Sequence, residues 1–370
     1  MIKSTNSVYL HKINTLVPET SYPQEVIRDF IIGLGWDEKN RKFLEKIYSN
    51  SGIDKRHTVI DDYDKDFSDY TFYPKNKDLE PEVSTKKRND LFIDEANRLS
   101  LKSCQNLFSK DLNMELSEIT HLITISCTGF SAPGFDYYLL KELPLPKNTR
   151  RYHIGFMGCY AALTGLSLAQ TICLADEKAC VLMVNVELCS LHFQKKAELD
   201  TMVANAIFAD GVTSAVISSR PNHSQGNKIS LDYFNSQLLP DSVDDMAWKL
   251  GETGFDMRLS AYVPRIIEKN IDQTINAILA QGNMNLDDIK IWALHPGGKA
   301  IIQKVQNTMG LSEDDLQLSY DTLREFGNMS SSTLMFILKK ILEDQRQGPL
   351  LAIAFGPGLT IESGIFRKTT

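Results

Sequence analysis

The sequence has no apolar run long enough to cross a membrane. Its longest apolar stretches, residues 179–186 and 350–355, fall far short of the ~20 residues that a transmembrane helix needs, and such short runs predict buried strands instead. Behind the first positive charge at the N-terminus there is no continuous apolar segment, so the form of a secretory signal is missing. We therefore expect a cytoplasmic protein without a membrane span.

A surplus of positive charge is missing as well. Lys and Arg together number 40 against 47 Asp and Glu, which gives a formal net charge of −7. A protein that neutralises nucleic-acid phosphates needs the opposite balance. The composition therefore argues against nucleic acid as a partner.

Closely spaced cysteines and histidines, which disulfide frameworks and metal sites require, are also absent. The six cysteines include no CxxC pair and follow no regular spacing, and the seven histidines are dispersed. No glycine-rich dinucleotide fingerprint follows a predicted strand. We expect no disulfide, metal or redox cofactor, and most of the cysteines should be small core residues. The question is whether one thiol is reactive.

What the sequence does contain is the pattern of a large α/β protein. Apolar residues make up 42% and charged residues 24% of the 370 residues, which is typical of a globular chain long enough for two similar, fused α/β halves. Residues 20–115 predict a mostly helical, polar peripheral layer. From residue 119 onward, short apolar runs alternate with helical patterns, which indicates βαβ units around a buried, mainly parallel sheet.

The pattern divides the chain into two halves, 1–220 and 221–370, that share one core. Strands are predicted at 122–126, 179–186 and 212–217 in the first half, and at 289–294, 350–355 and 359–366 in the second. Helices are predicted at 159–174, where small residues indicate a buried helix, at 261–280, after Gly298, and at 330–343. No linker separates the halves, so we expect one folding unit.

Cys159 is the first residue that could carry chemistry. It follows Gly158 at the predicted start of the buried helix, where unpaired backbone N–H groups and the helix dipole favour a thiolate. The glycine would let a substrate approach the backbone closely. Taken alone, however, a cysteine in an apolar helix is usually structural.

A histidine and an asparagine occupy comparable positions in the second half. His295 follows a predicted strand and opens the turn HPGG (295–298), where a side chain can reach into a cleft or simply satisfy turn carbonyls. Asn328 lies in GNMSS (327–331), just ahead of another helix, which is also the pattern of an ordinary helix cap. Neither motif decides the function by itself.

The combination is more specific, because a thiol, an imidazole and a carboxamide at element junctions form a Cys-His-Asn set. Four segments, GC (158–159), HPGG (295–298), GNMSS (327–331) and FGPGLT (355–360), resemble in order and spacing the signature segments of type III polyketide synthases, the chalcone-synthase-like family. The resemblance extends from about residue 10 to the C-terminus. It implies a thiolase-like α/β fold in which the two halves form an αβαβα layered core.

The resemblance also implies an acyltransferase mechanism. Cys159 would accept an acyl starter from a coenzyme A thioester and condense it repeatedly with units that malonyl-coenzyme A releases by decarboxylation. The chain would then cyclise to a pyrone or to a resorcinol- or phloroglucinol-type product. His295 and Asn328 would donate to the thioester oxygen as it gains negative charge. The family further implies a homodimer, and no cofactor beyond the coenzyme A thioesters that serve as substrates.

Further residues are assigned to the substrate pocket by the same resemblance. Phe208 matches a gatekeeper phenylalanine between the coenzyme A tunnel and the pocket, although a plain core phenylalanine would look the same. Met257 stands where the family has a second gatekeeper, with Phe255 nearby, and Trp248 stands where plant enzymes often have a small residue. The other pocket positions are Cys127, Ala132, Cys189, His192, Ser330, Phe355, Gly356, Pro357 and Gly358. Because several of these depart from the plant pattern, a plant-like starter or product does not follow.

Coenzyme A should meet basic or glycine-rich positions at the mouth of the tunnel. The expected contacts are Lys46, Lys55, Arg56, Gly297, Gly298 and Ala300. For the three cations, a solvated helix face is an equally good explanation.

Other interpretations remain open. A ketoacyl synthase III-like enzyme shares the Cys-His-Asn set but performs a single condensation, whereas HPGG and GNMSS favour the iterative family. A papain-type hydrolase would leave the FGPG segment unexplained. A non-catalytic thiolase-fold protein that binds an acyl chain is the interpretation outside enzymology.

Overall fold

The computed structural model, which describes residues 7–108, 112–239, 246–260 and 262–369, is built around a nine-stranded sheet. The strands are β1 (Val8–Leu16), β2 (Ser21–Pro23), β3 (Lys55–His57), β4 (His121–Ser126), β5 (Arg150–Gly155), β6 (Cys180–Leu188), β7 (Asp210–Ser218), β8 (Lys228–Leu238), β9 (Met246–Gly251), β10 (Gly254–Leu259), β11 (Ile291–Leu294), β12 (Gly348–Gly356) and β13 (Thr360–Thr369). The helices are α1 (Gln24–Ile32), α2 (Glu38–Ser49), α3 (Thr85–Leu107), α4 (Phe135–Glu142), α5 (Ala161–Ala175), α6 (Leu199–Ile207), α7 (Val263–Gly282), α8 (Lys299–Met309), α9 (Gln317–Phe326) and α10 (Ser332–Glu343).

The large sheet is mixed, and the prediction of a mainly parallel sheet is wrong. Its order is β11-β12-β13-β8-β1-β7-β6-β4-β5, and the parallel pairs are β4 with β5, β4 with β6, and β11 with β12. The other pairs are antiparallel. Strands β12 and β13 are antiparallel because the short turn Pro357–Leu359 joins them, whereas a parallel pair would need a long crossover.

Strand β1 was not predicted, although it lies at the centre of the sheet. It pairs with β7 of the first half on one side and with β8 of the second half on the other. A register shift between Leu10 and Lys12 interrupts the alternation of buried and exposed residues by which a strand is recognised. The two halves are therefore joined by hydrogen bonds across one continuous sheet.

Two buried helices form the central layer. Helix α5 packs on strands β4, β6 and β7, and α10 packs on β1 and β7. The prediction of a buried small-residue helix is confirmed. A Cβ on Gly165 would come within 2.5 Å of Ile125 Cδ1, so the glycine is what permits this close approach of helix and sheet.

The other predicted elements match the structure with small shifts at their ends. The segment 20–115 carries α1, α2 and α3 and the small β2–β3 pair, and it packs outside the sheet as expected. The predicted helix start at Ala261 lies outside the described residues, and α7 is seen from Val263. In the described part of the chain, every helix is too short or too polar to span a bilayer.

The topology brings chemically important turns to one side of the molecule. Strands β4 and β5 run parallel, and so do β11 and β12, so the carboxyl ends within each pair lie at the same edge. Cys127 follows β4, and Cys159 comes a few residues after β5. His295 follows β11, and Pro357 follows β12.

Candidate active site

The three residues predicted to carry chemistry line one cavity of about 500 Å³, which we call the thiol cavity. Cys159 lies in the turn ahead of α5, His295 follows β11, and Asn328 lies between α9 and α10. Other residues predicted for the pocket or the tunnel line it too: Cys127, Phe208, Trp248, Met257, Gly297, Ser330, Phe355 and Pro357. The structure therefore brings these predicted site residues together around one cavity.

The turn that carries Cys159 is interlocked with the turn after β12. Gly158 has a φ of +79°, and a Cβ there would lie 2.2 Å from Pro357 Cδ. In the facing turn, a Cβ on Gly356 would lie 2.4 Å from the ring of Tyr160 and 3.4 Å from the backbone nitrogen of Cys159. Only glycine allows these two chain segments to approach so closely. The FGPG segment thus fixes the position of the thiol.

Burial controls the charge state of the thiol and the imidazole. It raises the pKa of the Cys159 thiol to about 12, although the side chains of Ser330 and Asn328 lie within hydrogen-bonding reach and act in the opposite direction. It lowers the pKa of His295 to about 3. Burial thus acts against the thiolate that the turn ahead of the helix was expected to favour, because an ionised sulfur loses its hydration there. Each group, taken separately, is neutral near pH 7.

His295 presents an imidazole that the protein itself leaves unpaired. The residue is only 1% exposed, and its backbone N–H donates to Ile353 O over 2.8 Å, which extends the β11–β12 ladder. Neither Nδ1 nor Nε2 has a hydrogen-bond partner among the described residues. Buried polar atoms are usually paired, so an unpaired imidazole at a cavity wall marks a place where a ligand can bind.

Asn328 is held in one orientation by the backbone around it. The N–H of Ser330 donates to Oδ1 over 2.9 Å, while Nδ2 makes a long contact of 3.4 Å to Gly297 O. The main chain of Asn328 is also fixed, since its N–H donates to Ile207 O and its carbonyl accepts from Ala209 N, both over 2.9 Å. The amide carbonyl is thereby used within the protein, and the amino group remains as the donor for the cavity.

Phe208 lies between these two backbone bonds and is positioned by Arg56. Nη1 of Arg56 donates to Phe208 O over 2.7 Å and to Asn205 O over 2.8 Å, and Nε donates to Gln24 Oε1 over 2.9 Å. Arg56 is only 5% exposed. Its prediction as a coenzyme A contact is therefore wrong, because the side chain is buried and Nε and Nη1 donate to Gln24, Phe208 and Asn205 within the protein.

A second cavity of about 620 Å³ adjoins the first, and we call it the side cavity. Cys189, His192 and Phe255, which the sequence assigned to the pocket, line this cavity and not the thiol cavity. Phe208, Trp248 and Met257 line both. Met257 pairs with Trp248 across the β9–β10 hairpin, so both side chains leave the same face of the hairpin.

His192 fastens the hairpin to the loop after β4. Phe255 N donates to Nδ1 over 3.1 Å, so Nε2 carries the hydrogen and donates to Thr128 O over 2.7 Å. The imidazole also stacks on the Phe255 ring, with centroids 4.0 Å apart. Burial lowers the pKa of His192 to about 3, which keeps it in this neutral form.

Glu187 is a buried acid beside the thiol cavity that the sequence interpretation missed. Its carboxylate accepts from Ser331 Oγ over 2.6 Å and from Cys127 N over 3.0 Å, and Cys127 Sγ lies 3.1 Å from Ser330 Oγ. Burial raises the pKa of Glu187 to about 7. The signal in the sequence is a single acidic residue within the apolar strand β6. No cluster of three or more His, Cys, Asp or Glu in the described part of the chain is placed to hold a metal ion.

The recess outside the thiol cavity contains some of the residues predicted to contact coenzyme A. Gly297, Gly298 and Ala300 line it, whereas Lys46 and Lys55 do not. Lys299, which was not predicted, lies at this recess and at the polar surface beyond it. Its position directly after HPGG was the signal that could have identified it.

Three predicted pocket positions lie elsewhere. Ala132 is in an exposed loop and lines neither the thiol cavity nor the side cavity. Gly356 lies behind the thiol turn rather than on the cavity wall, and Gly358 follows Pro357 in the same turn with a φ of +69°.

Comparison with known proteins identifies the family. The N-terminal domain of the chalcone and stilbene synthases matches residues 3–221, and the C-terminal domain of the same family matches residues 230–370. The α-pyrone synthesis polyketide synthase-like protein Pks18 of Mycobacterium tuberculosis is 28% identical over 368 residues, which are 98% of this chain and 91% of Pks18. Type III polyketide synthase C of Arabidopsis thaliana is 31% identical over 270 residues, which are 70% of each chain.

A solved structure agrees with this result. The crystal structure of PKS-I from the brown alga Ectocarpus siliculosus superimposes with a TM-score of 0.91 at 28% identity, and the match covers 100% of both chains. The predicted thiolase-like α/β fold is thereby confirmed. The chain belongs to the chalcone and stilbene synthase family, and it is an acyltransferase of the type III polyketide synthase kind.

Proposed function

We propose that this enzyme loads an acyl starter from coenzyme A onto Cys159 and extends it repeatedly with malonyl-derived units. The chain is then released as a cyclised product of the pyrone, resorcinol or phloroglucinol type. The observation that supports this most directly is the thiol cavity, which is lined by an unpaired imidazole, a fixed amide donor and a half-buried thiol.

In the loading step, the Cys159 proton moves to His295, which produces thiolate and imidazolium without a change in net charge. This transfer avoids the cost of a single buried charge, which the raised pKa of Cys159 and the lowered pKa of His295 both reflect. The thiolate attacks the starter carbonyl, the bond to the coenzyme A sulfur breaks, and the departing thiolate takes the proton from His295. The result is an acyl-enzyme and free coenzyme A.

In the extension step, neutral His295 and Asn328 donate to the thioester oxygen of malonyl-coenzyme A. The carboxylate leaves as carbon dioxide, and its bonding electrons form an enolate whose oxygen those two donors stabilise. The enolate carbon attacks the carbonyl on Cys159, a carbon–carbon bond forms, and the Cys159 sulfur departs as a thiolate. The lengthened chain is then a coenzyme A thioester, and the Cys159 thiolate attacks its carbonyl and displaces coenzyme A to begin the next round. The depressed pKa of His295 suits this role, because it keeps an imidazole N–H as a donor near neutral pH.

Phe208 favours the decarboxylation through its environment. It lies on the wall of the thiol cavity, and its backbone is held by Asn328 on one side and by Arg56 on the other. An apolar ring against the malonyl carboxylate removes water from a charged group that becomes neutral carbon dioxide, so the loss of charge is favoured. Coenzyme A thioesters are substrates in this scheme, and none of its steps calls for a further cofactor.

A homodimer is part of the proposal. Strand β5 is an edge of the large sheet and is mostly exposed, and the same region carries exposed Phe130, Tyr137 and Tyr152 beside the Ala132 loop. An exposed sheet edge with aromatic side chains is suited to burial against a second copy of the chain.

The test is mass spectrometry of the products that form from malonyl-coenzyme A and a panel of aliphatic and aromatic acyl-coenzyme A starters. We expect products with two or more malonyl-derived units, and an acyl group on Cys159 in the intact protein. Cys159→Ala should abolish both signals, whereas Cys180→Ala, which removes a buried thiol of β6 outside the thiol cavity, should retain them. A single β-ketoacyl product would favour the one-condensation alternative.

A further inference from the structure

Helix α6 ends at the boundary between the thiol cavity and the recess outside it. Its last two residues, Ala206 and Ile207, line the recess, and the next residue, Phe208, lines the thiol cavity. The last carbonyl groups of a helix have no partner within the helix, so their hydrogen bonds must come from elsewhere. The groups that bind these carbonyls therefore determine where Phe208 lies.

Two buried side chains bind the end of α6, and we call this pair, Arg56 and Gln24, the α6 clamp. Nη1 of Arg56 donates to Asn205 O over 2.8 Å and to Phe208 O over 2.7 Å. Nε2 of Gln24 donates to Ala206 O over 2.8 Å, and its Oε1 accepts from Arg56 Nε over 2.9 Å. The two side chains thus act as one unit, and a positive charge is favourable at the C-terminal end of a helix.

The same helix end also holds Asn328. Ile207 O accepts from the backbone N–H of Asn328 over 2.9 Å, and Phe208 and Asn328 pair as an isolated parallel bridge. Gly327, just before the asparagine, lies against the clamp, because a Cβ there would come within 3.1 Å of Arg56 Cγ. A displacement of the α6 end would therefore move Phe208 and Asn328 together.

The residues of the loading step are held by other parts of the molecule. Cys159 is fixed by the interlocked turns around Gly158 and Pro357, and His295 is fixed through its backbone bond to Ile353 on the β11–β12 ladder. The clamp thus bears on the groups that the extension step uses, whereas the nucleophile and its proton acceptor are positioned independently of it.

We propose that Arg56, supported by Gln24, is a positioning residue for the extension step. It holds the end of α6 so that Phe208 and Asn328 meet malonyl-coenzyme A in one fixed arrangement, and it takes no part in the loading of Cys159. This inference rests on the proposed function. It assigns to one buried arginine the ability to separate the two half-reactions of the enzyme.

The test measures the two half-reactions separately. Arg56→Gln removes the donors to Asn205 O and Phe208 O, and the kcat for carbon dioxide release from malonyl-coenzyme A should fall about 30-fold, because displaced groups stabilise the transition state poorly. The KM should change less than about threefold. Acylation of Cys159 by hexanoyl-coenzyme A, followed by mass spectrometry of the intact protein, should keep the wild-type rate.

Two further variants grade the effect. Arg56→Lys keeps the charge and a shorter donor, so its kcat for carbon dioxide release should fall only about fivefold. Gln24→Leu keeps the volume of the side chain but removes the donor to Ala206 O and the acceptor for Arg56 Nε. It should also slow carbon dioxide release and leave acylation unchanged, and it carries the test if Arg56→Gln does not fold.

Lys368→Gln is the matched control for the loss of a buried cation. Lys368 is 1% exposed and donates from Nζ to Asp344 O, and neither residue lines the thiol cavity or the recess. This variant should unfold at a lower urea concentration with both half-reactions unchanged. Wild-type carbon dioxide release by Arg56→Gln, or an equal loss of both half-reactions, would overturn the positioning role. A wild-type protein that performs neither half-reaction would instead overturn the proposed function.

Discussion

The backbone N–H of Ser330 donates to Oδ1 of Asn328 over 2.9 Å, and Ser330 adopts a φ of +49° to make this contact. A non-glycine residue in the left-handed region carries local strain, which is maintained here by the structure around it. The contact fixes which end of the Asn328 amide faces the thiol cavity. The backbone therefore orients the amide group that the proposed mechanism uses as the donor to the thioester oxygen.

Asn328→Asp tests this donor. The carboxylate would present an acceptor where a donor is needed, and its charge would repel both the malonyl carboxylate and the enolate. We expect the rate of malonyl-coenzyme A decarboxylation to fall at least 100-fold, which corresponds to about 2.7 kcal/mol of lost stabilisation. Asn328→Ala removes the donor without adding charge, so its decarboxylation rate should fall less than that of Asn328→Asp. Near-native decarboxylation by Asn328→Asp would defeat the assignment.

Gly158→Ala tests the interlocked turns. The new Cβ would lie 2.2 Å from Pro357 Cδ in addition to the cost of a φ of +79°. We expect the free energy of unfolding to fall by about 3 kcal/mol, together with loss of Cys159 acylation. Gly310→Ala is the control, because it has a φ of +65° with no atom near the added Cβ. Equal destabilisation by both variants would mean that backbone strain alone, and not the contact with Pro357, is responsible.

Glu187 makes stability depend on pH. Burial raises the pKa of Glu187 from 4.5 to about 7. Between these two pH values, Glu187 therefore keeps its proton in the folded protein, whereas it has lost that proton in the unfolded chain. The amount that this proton adds to the free energy of unfolding is on the order of 3 kcal/mol. It is fully present below about pH 4.5 and is lost as the pH rises through about 7. Urea unfolding at pH 5 and pH 8 should show this loss in the wild type. In Glu187→Gln, whose side chain stays neutral, the contribution should disappear, and a pH dependence equal to that of the wild type would exclude Glu187 as its source.

Lys299 and Lys55 can be compared directly as contacts for the phosphates of coenzyme A. Lys299 lies at the recess outside the thiol cavity and Lys55 does not. Lys299→Ala should raise the KM for malonyl-coenzyme A about five- to tenfold without a change in kcat, since a removed phosphate contact affects binding alone. With malonyl N-acetylcysteamine, which has no phosphate, the KM should not change. Lys55→Ala should have the KM of the wild type for both thioesters. If instead Lys55→Ala raised the KM for malonyl-coenzyme A and Lys299→Ala did not, Lys55 would be the phosphate contact.

Sequence patterns predicted the residues around the candidate active-site cavity better than the sheet behind it. Cys159, His295 and Asn328 each lie in a glycine-containing turn between two elements, and such turns can be read from local sequence. The direction of the strands depended on long-range pairing that local patterns do not contain. Strand β1 was missed for a different reason. Its register shift between Leu10 and Lys12 removes the alternation of buried and exposed residues by which a single strand is recognised.

The charges of the site were less predictable than its composition. Spacing placed Cys159 at a helix start and suggested a thiolate, but the depth of burial, which raises its pKa, is a property of the folded protein. Arg56 was misassigned for a related reason. A cation in the correct part of the chain can point inward, and only the structure shows its bonds to Phe208 and Asn205.

The central position of β1 has a consequence for how the molecule is made. Val8–Leu16 leave the ribosome well before their partners, which are β7 at Asp210–Ser218 and β8 at Lys228–Leu238. The strand must wait, unpaired, until about 200 further residues have been synthesised, and such distant contacts slow folding. A ribosome-bound chain stopped before β7 should therefore be a good substrate for chaperones. A cut between β7 and β8 should leave β1 paired with β7 but with an open edge, which β8 of the second fragment could restore.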